Sequence, residues 1–279
     1  MRQLKLSEIR IYPVKSLGGV RVTKSRVMEK GLEWDRRFML VDDENRFISQ
    51  RTLPVLSLFT VHLDASGIVV TFRGDTITIP ITINEGSIKS AVIWDDQVNV
   101  FPAGSRYDEW FSEHTQADCR LMYFPESNAR AVDPNFQIAN EHVSLADGFP
   151  FLLIGESSLH DLNGRLEEPV PMSRFRPNLV ITGADPYEED RWKEFSIGRS
   201  RFMAVKQCSR CITTTVDHST GTHGKEPLKT LNTYRMQQGK VYFGQNLIAL
   251  DHFEIMEGDA VTLHPETQNF ASLQQNPEH

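Results

Sequence analysis

Two of the three cysteines in this chain of 279 residues stand close together, in Cys208-Ser209-Arg210-Cys211, ahead of the β-branched run Ile212-Thr213-Thr214-Thr215-Val216. Thiolates are soft ligands for zinc, iron–sulfur clusters and other soft metals, and an adjacent arginine lowers a thiol pKa and holds an anion nearby. Four readings of the stretch compete. A thioredoxin-like redox pair wants its C-x-x-C at a helix N-terminus, whereas strand formers follow here. A zinc site would add His218 and His223 to give C-x2-C-x6-H-x4-H, acceptable in ligand type though short in its middle spacing. The plainest alternative is two cysteines acting as small buried apolar residues. The fourth reading comes from the surroundings of the motif.

Other chemistries lose their support. Residues 18–25 end in Lys24-Ser25, but Thr23 stands where a phosphate-binding loop needs glycine. The chain has no G-x-G-x-x-G opening a helix, no G-x-S-x-G elbow and no H-E-x-x-H, which removes the main support for a dinucleotide-fold dehydrogenase, a serine hydrolase or a zincin. Thirty basic against 37 acidic side chains give a net charge of −7, so no nucleic-acid partner is expected and any anionic ligand must meet a local basic cluster. An odd count of three cysteines argues against a disulfide framework. No apolar run approaches the roughly 18 residues of a membrane span, and the opening MRQLKLSEIRIYPVKS lacks the apolar stretch of a secretory signal. No membrane association and a cytoplasmic location are therefore expected.

The elements that must position these residues are legible in part. The first hundred residues read mostly as strands, at 6–12, 20–28, 38–41, 46–48, 68–72, 76–79 and 88–93, separated by turn clusters such as Asp42-Asp43-Glu44-Asn45. Tyr107, Trp110, Phe111 and His114 share one helical face, and Ser105 with Asp108 is spaced as a capping box, which predicts a helix over 105–116. The second half alternates strands at 151–154, 178–182, 195–197, 201–205, 211–216, 241–243 and 247–250 with a helix over 158–166 and one beginning at Pro227. The fold class predicted is α+β and strand-dominated, with a β-rich, barrel-like domain over 1–125, a second domain over 126–266 and a polar tail over 267–279.

Seven stretches, in order along the chain, carry a resemblance: Tyr12-Pro13-Val14-Lys15-Ser16, 31–38 (GLEWDRRF), Phe175-Arg176-Pro177-Asn178, 184–192 (ADPYEEDRW), the cysteine motif with Thr214-Thr215-Val216-Asp217, 227–231 (PLKTL) and Phe243-Gly244-Gln245. Together they resemble the MOSC family, the molybdenum-cofactor sulfurase C-terminal domain proteins. The branch is the one with its own amino-terminal β-rich domain, which includes amidoxime-reducing and N-hydroxylaminopurine-detoxifying proteins. The resemblance implies two β-rich domains, the second a MOSC β-barrel with short helices, with a molybdenum cofactor (Mo-molybdopterin) in the cleft between them. It implies that Cys211 is the metal ligand and the catalytic residue. It further implies that Lys15, Ser16, Arg37, Arg176, Ser209 and Arg210 bind the pterin and its phosphate, with Asp147, Gly148 and Asn246 closing the site.

The function implied is molybdenum-dependent reduction of N-hydroxylated compounds such as hydroxylaminopurines and amidoximes. Electrons must come from a separate reductase or ferredoxin-type partner, because no flavin or nicotinamide motif is present and three cysteines cannot hold a four-cysteine cluster. A soluble form, without the membrane anchor of the mitochondrial relatives, is expected. A rival from another class is a sulfur carrier that uses a cysteine persulfide, and a third is a zinc-stabilised binding module. Each residue keeps a plainer role as well. Lys15, Arg36 and Arg37 would serve as solvated strand-edge charges, Arg174 would point to water, Cys208 would shape its loop, Cys119 would sit in the core, and Asp217 would either cap a turn or lie near the metal.

Overall fold

The computed structural model describes residues 3–83 and 86–265. The tail expected over 267–279 lies outside the described residues. The chain is α+β and strand-dominated. Its largest sheet runs Val20–Val22, Lys5–Ile11, Leu179–Thr182, Phe151–Gly155, Lys240–Ala249, Ser200–Arg210, Glu194–Ile197 and Val261–Leu263, with Met236–Gln237 added to Lys240–Ala249. Phe151–Gly155 and Leu179–Thr182 pair in parallel, and the chain between them includes the helix Glu156–Asn163, the kind of crossover that parallel neighbours require.

The first strand is built into the sheet of the second half. Lys5, Leu6, Glu8 and Ile9 face Thr182, Ile181, Val180 and Leu179, and Leu6, Ile9 and Ile11 share one buried cluster with Phe151, Leu153, Phe195, Phe202 and Leu247. Lys24–Met28 pairs in turn with Glu254–Met256. Backbone hydrogen bonds thus cross the boundary read near residue 125, because strand pairing is non-local and leaves no mark in local composition. Gly31–Leu32 pairs with the other side of Lys24–Met28, and the remaining strands of the first half form a sheet of Phe38–Val41, Arg120–Tyr123, Asp96–Pro102 and Lys89–Ile93 and a meander of Thr60–Asp64, Gly67–Phe72 and Asp75–Ile79. Their core gathers on Phe59, which stacks on Phe72 at 4.4 Å and meets the edge of Trp110 at 5.8 Å, Trp110 belonging to the helix Ser105–Thr115.

Several expectations are corrected in detail. The helix begins after Gly104 without a side-chain cap, and Asp108 instead accepts the Leu121 N–H at 2.8 Å. The stretch 46–48 makes isolated bridges rather than a strand. The run read as a strand over 211–216 is a single 3-10 turn, Ile212–Thr215, because threonine hydroxyls take local carbonyls. Thr214 Oγ1 donates to Cys211 O at 2.9 Å and Thr215 Oγ1 to Ile212 O at 2.8 Å. The two strands read at 241–243 and 247–250 are one, Lys240–Ala249, which passes through Gly244 at φ +87 where a Cβ would lie 2.8 Å from Leu153 O. If the first strand belongs to the second half's core, Ile9→Ala lowers the unfolding free energy by about 2–5 kcal/mol in denaturant titration. A loss under about 0.5 kcal/mol would place that strand outside the core.

Candidate active site

The strand Ser200–Arg210 delivers Cys208, Ser209 and Arg210 to a cleft between the two halves, and Cys211 follows at its end in extended conformation. The 3-10 turn after it is pinned from outside. Arg174 is buried, donates from Nε to Thr214 O at 3.0 Å and reaches Glu226 O at 3.4 Å and Asp217 at 3.7 Å. Arg174 therefore holds the cysteine turn rather than pointing to water. Cys211 is half-buried, is not in a disulfide, and its thiol donates to Thr213 Oγ1 at 3.4 Å.

Of the residues expected at the site, Lys15, Ser16, Asp147, Gly148, Arg176, Ser209, Arg210, Cys211 and Asn246 all line this cleft. Arg37 does not. It is buried with Nε on Glu126 and Nη1 donating to Asp35 O at 2.5 Å, while Arg36 faces the cleft. A left-handed backbone at Arg36 (φ 51) turns that side chain inward instead of its neighbour's. Ser16, Trp94 and Arg176 on the cleft wall are also left-handed, at φ 72, 55 and 56, and such geometry costs about 1–2 kcal/mol per residue outside glycine. Strained backbone gathered around one cleft marks a functional constraint.

The cleft is rich in positive charge. Arg36 is compensated by the buried Asp35 at 2.6 Å. Arg176 and Arg36 lie over the same Tyr12 ring at 4.3 and 4.2 Å, and burial holds the Arg176 guanidinium down at about 10. Arg210 donates to Cys208 Sγ at 3.0 Å and to Phe175 O at 2.7 Å, and its buried Nε has no partner. Among the described residues no carboxylate lies within ion-pair distance of Arg51, Arg176 or Arg210. Lys15 is buried, with its ammonium on Leu145 O at 2.9 Å and Asp147 Oδ1 at 2.6 Å. Burial pushes it down to about 8, against the pull of Asp147. Asp147 opens onto the cleft with 71% of its side chain exposed. Desolvation by the surrounding cleft walls raises its carboxyl, but Lys15, Arg51 and Arg36 outweigh that and hold it well below the usual carboxylate range.

The zinc quartet does not form. Among the described residues no three histidine, cysteine or acidic side chains gather as metal ligands, and His223 is exposed beside Arg51 O at 3.3 Å. Burial, then Arg176 and Arg174, push His218 down to about 4, against Asp217, so its imidazole is neutral at neutral pH. Asp217 caps its turn by accepting the Ser219 N–H at 2.7 Å. What the cleft suits is a group that carries both a phosphate and a soft metal. Arg176 and Arg210, without carboxylate partners, and the orphan Arg210 N–H fit a dianion, and the free thiols of Cys208 and Cys211 are soft donors that fit a metal. Arg36, Arg51, Trp94 and Arg174 also line the cleft and were not expected there. Only the Arg36-Arg37 doublet carried a signal, and it is ambiguous by one residue.

Fold and site together define a strand-dominated α+β protein with a basic cleft that presents two free cysteines, Cys208 and Cys211. The chain belongs to the MOSC family: the MOSC domain model matches residues 140–262 and the MOSC N-terminal beta barrel domain model matches residues 3–118. Its sequence is 33% identical to human mitochondrial amidoxime-reducing component 1, over 92% of this chain and 82% of that protein. It is 33% identical to rat mitochondrial amidoxime reducing component 2, over 83% and 72%. It is 31% identical to the molybdenum cofactor sulfurase of Oryza sativa subsp. japonica over 93% of this chain, which spans 34% of that longer protein.

The Lys15 ammonium is present below about pH 8 and lost above it. Calorimetry with a phosphate monoester, whose second ionisation near pH 6 is already complete, should show affinity falling several-fold from about pH 7.5 to about pH 9. Lys15→Met should flatten that profile, and an unchanged profile in the variant would remove Lys15 from the anion site.

Proposed function

We propose that this chain holds a molybdenum cofactor in the cleft and reduces N-hydroxylated compounds, hydroxylaminopurines and amidoximes, at it. The observation that carries the reading is a free thiol on a cleft wall shared with guanidiniums that have no carboxylate partner; of the two cysteines there, Cys208 takes a hydrogen bond from Arg210 at 3.0 Å, which leaves Cys211 for the metal. The names of the human and rat relatives support the reaction class. When bound, the metal centre supplies the electron chemistry by which N–OH, two electrons and two protons become N–H and water.

The chain's own residues bind and orient. Cys211 would ligate the metal as a thiolate, with Thr213 Oγ1 at 3.4 Å turned to donate to it. Arg176, Arg210, Lys15 and Arg36 would meet the phosphate and pterin, with the hydroxyls of Ser16 and Ser209 beside them. Gly148 has nothing within 4 Å of where a Cβ would stand, so a ligand can approach the backbone of Asp147 and Gly148 closely, with Asn246 at the rim. Arg37, seated outside the cleft, is left out of the binding set. Electrons would come from a separate reductase or ferredoxin-type protein, and the setting proposed is cytoplasmic. Among the described residues no helix is long and apolar enough to cross a membrane.

A second reading, a sulfur carrier with a persulfide on Cys211, is favoured by the similarity to molybdenum cofactor sulfurase and by the part-exposed thiol. Metal analysis separates the two. Protein from a cofactor-competent host should carry about one molybdenum per chain, reduce N-hydroxyadenine with an artificial donor, and lose that turnover to background in Cys211→Ser. Persulfide sulfur without molybdenum would favour the carrier, and full turnover in Cys211→Ser would overturn the reductase.

A further inference from the structure

The cleft wall contributed by the first half holds groups to which the proposed cofactor binding gives no role. Gln50 is 1% exposed, and its Nε2 donates to Ser16 O at 2.6 Å. That bond fixes the amide and leaves Oε1 a buried acceptor without a partner. Burying an acceptor unmade is unfavourable, so the site is poised for a donor. Arg51 is exposed, with its guanidinium 4.3 Å over the Trp94 ring. Trp94 is itself left-handed, and its buried Nε1 is unpartnered.

These groups are held in place. Arg51 N–H donates to Ser49 Oγ at 3.2 Å and Leu53 N–H to Ser49 O at 2.9 Å, closing a turn. Arg51 O meets His223 Nε2 at 3.3 Å, on the hairpin that follows the cysteine turn. The turn is thereby tethered to the same segment that carries Cys211.

Charge separates this group from the cofactor's needs. Arg176 and Arg210 already offer two uncompensated charges for a phosphate dianion, and Lys15 takes Asp147, the one carboxylate lining the cleft among the described residues. Arg51 is a third cation, and among the described residues no carboxylate lies within ion-pair distance of it. A guanidinium stacked on an indole beside a buried amide acceptor suits a planar, N–H-bearing molecule with a negative tail.

We infer that Gln50, Arg51 and Trp94 form a substrate subsite that selects planar N-hydroxylated bases carrying a phosphate, so that nucleotides are taken in preference to nucleosides. The inference rests on the reductase reading for its substrate class. Gln50 accepts from the base, Trp94 and Arg51 set its plane, and Arg51 meets the phosphate.

Steady-state turnover of N-hydroxyadenosine and its monophosphate by the loaded protein, with an artificial donor, tests it. The monophosphate should have the lower KM, and Arg51→Gln should shrink the ratio of the two KM values about tenfold through the monophosphate, with kcat for the monophosphate held. Equal KM values in the native protein, or an equal shift for both compounds in the variant, would overturn the subsite. Calorimetry with adenosine monophosphate and adenosine on the same loaded protein keeps the two readings apart. Tighter binding of the monophosphate that Arg51→Gln removes supports the subsite even where neither N-hydroxy compound is turned over, and equal binding overturns it whatever the turnover.

Discussion

The cleft depends on two guanidiniums laid over one buried phenol ring. Arg36 comes from the first half and Arg176 from the second, and both rest on Tyr12 at 4.2 and 4.3 Å. Tyr12 is fixed at both ends: its N–H donates to Asp35 Oδ1 at 2.8 Å and its hydroxyl to Pro177 O at 3.1 Å. Gly19 leaves room for the ring, since a Cβ there would fall 2.4 Å from Tyr12 Cε1. Each desolvated cation–π contact contributes about 2 kcal/mol, which offsets part of the repulsion between two like charges set so close. Asp35 neutralises Arg36 alone, so the pair as a whole keeps an uncompensated positive charge at the seam between the halves.

That residual charge, the left-handed residues around it and the orphan N–H of Arg210 are all unfavourable for the folded chain by itself. The rest of the molecule tolerates them because its cores are closed. The first strand is paired into the second half's sheet, and Phe151, Phe195 and Phe202 pack against it. A rigid frame with an unsatisfied seam is the arrangement in which ligand binding relieves what folding leaves unfavourable. The thiol of Cys211 stands at the end of this seam, and its turn is locked by Arg174 through Thr214 O.

Phe38–Val41 is buried throughout and reads as a short continuous apolar run, whereas period-two alternation located the strand over 76–79 because one face of it, Ile77 and Ile79, is buried. The helix face of Tyr107, Trp110 and Phe111 was legible for the same reason. The pairing of Lys5–Ile11 with Leu179–Thr182 was not, since nothing local encodes a partner so far along the chain. Ile212–Thr215 defeated propensity because its hydroxyls bond to local carbonyls instead of leaving the backbone free for a ladder. Within the site, the cysteine motif and the basic residues of matched stretches were visible as types and spacing. Which of Arg36 and Arg37 faces the cleft is decided by a single positive φ, and Arg51 and Trp94 meet only through tertiary packing.

Whether the seam holds a metal against Cys211 is tested most directly by anomalous diffraction at the molybdenum edge from crystals of the cofactor-loaded protein. The predicted result is one strong peak in the cleft, at bonding distance from Cys211 Sγ, that weakens or moves in Cys211→Ser. A peak outside the cleft, or one unchanged in position and strength in the serine variant, would contradict it.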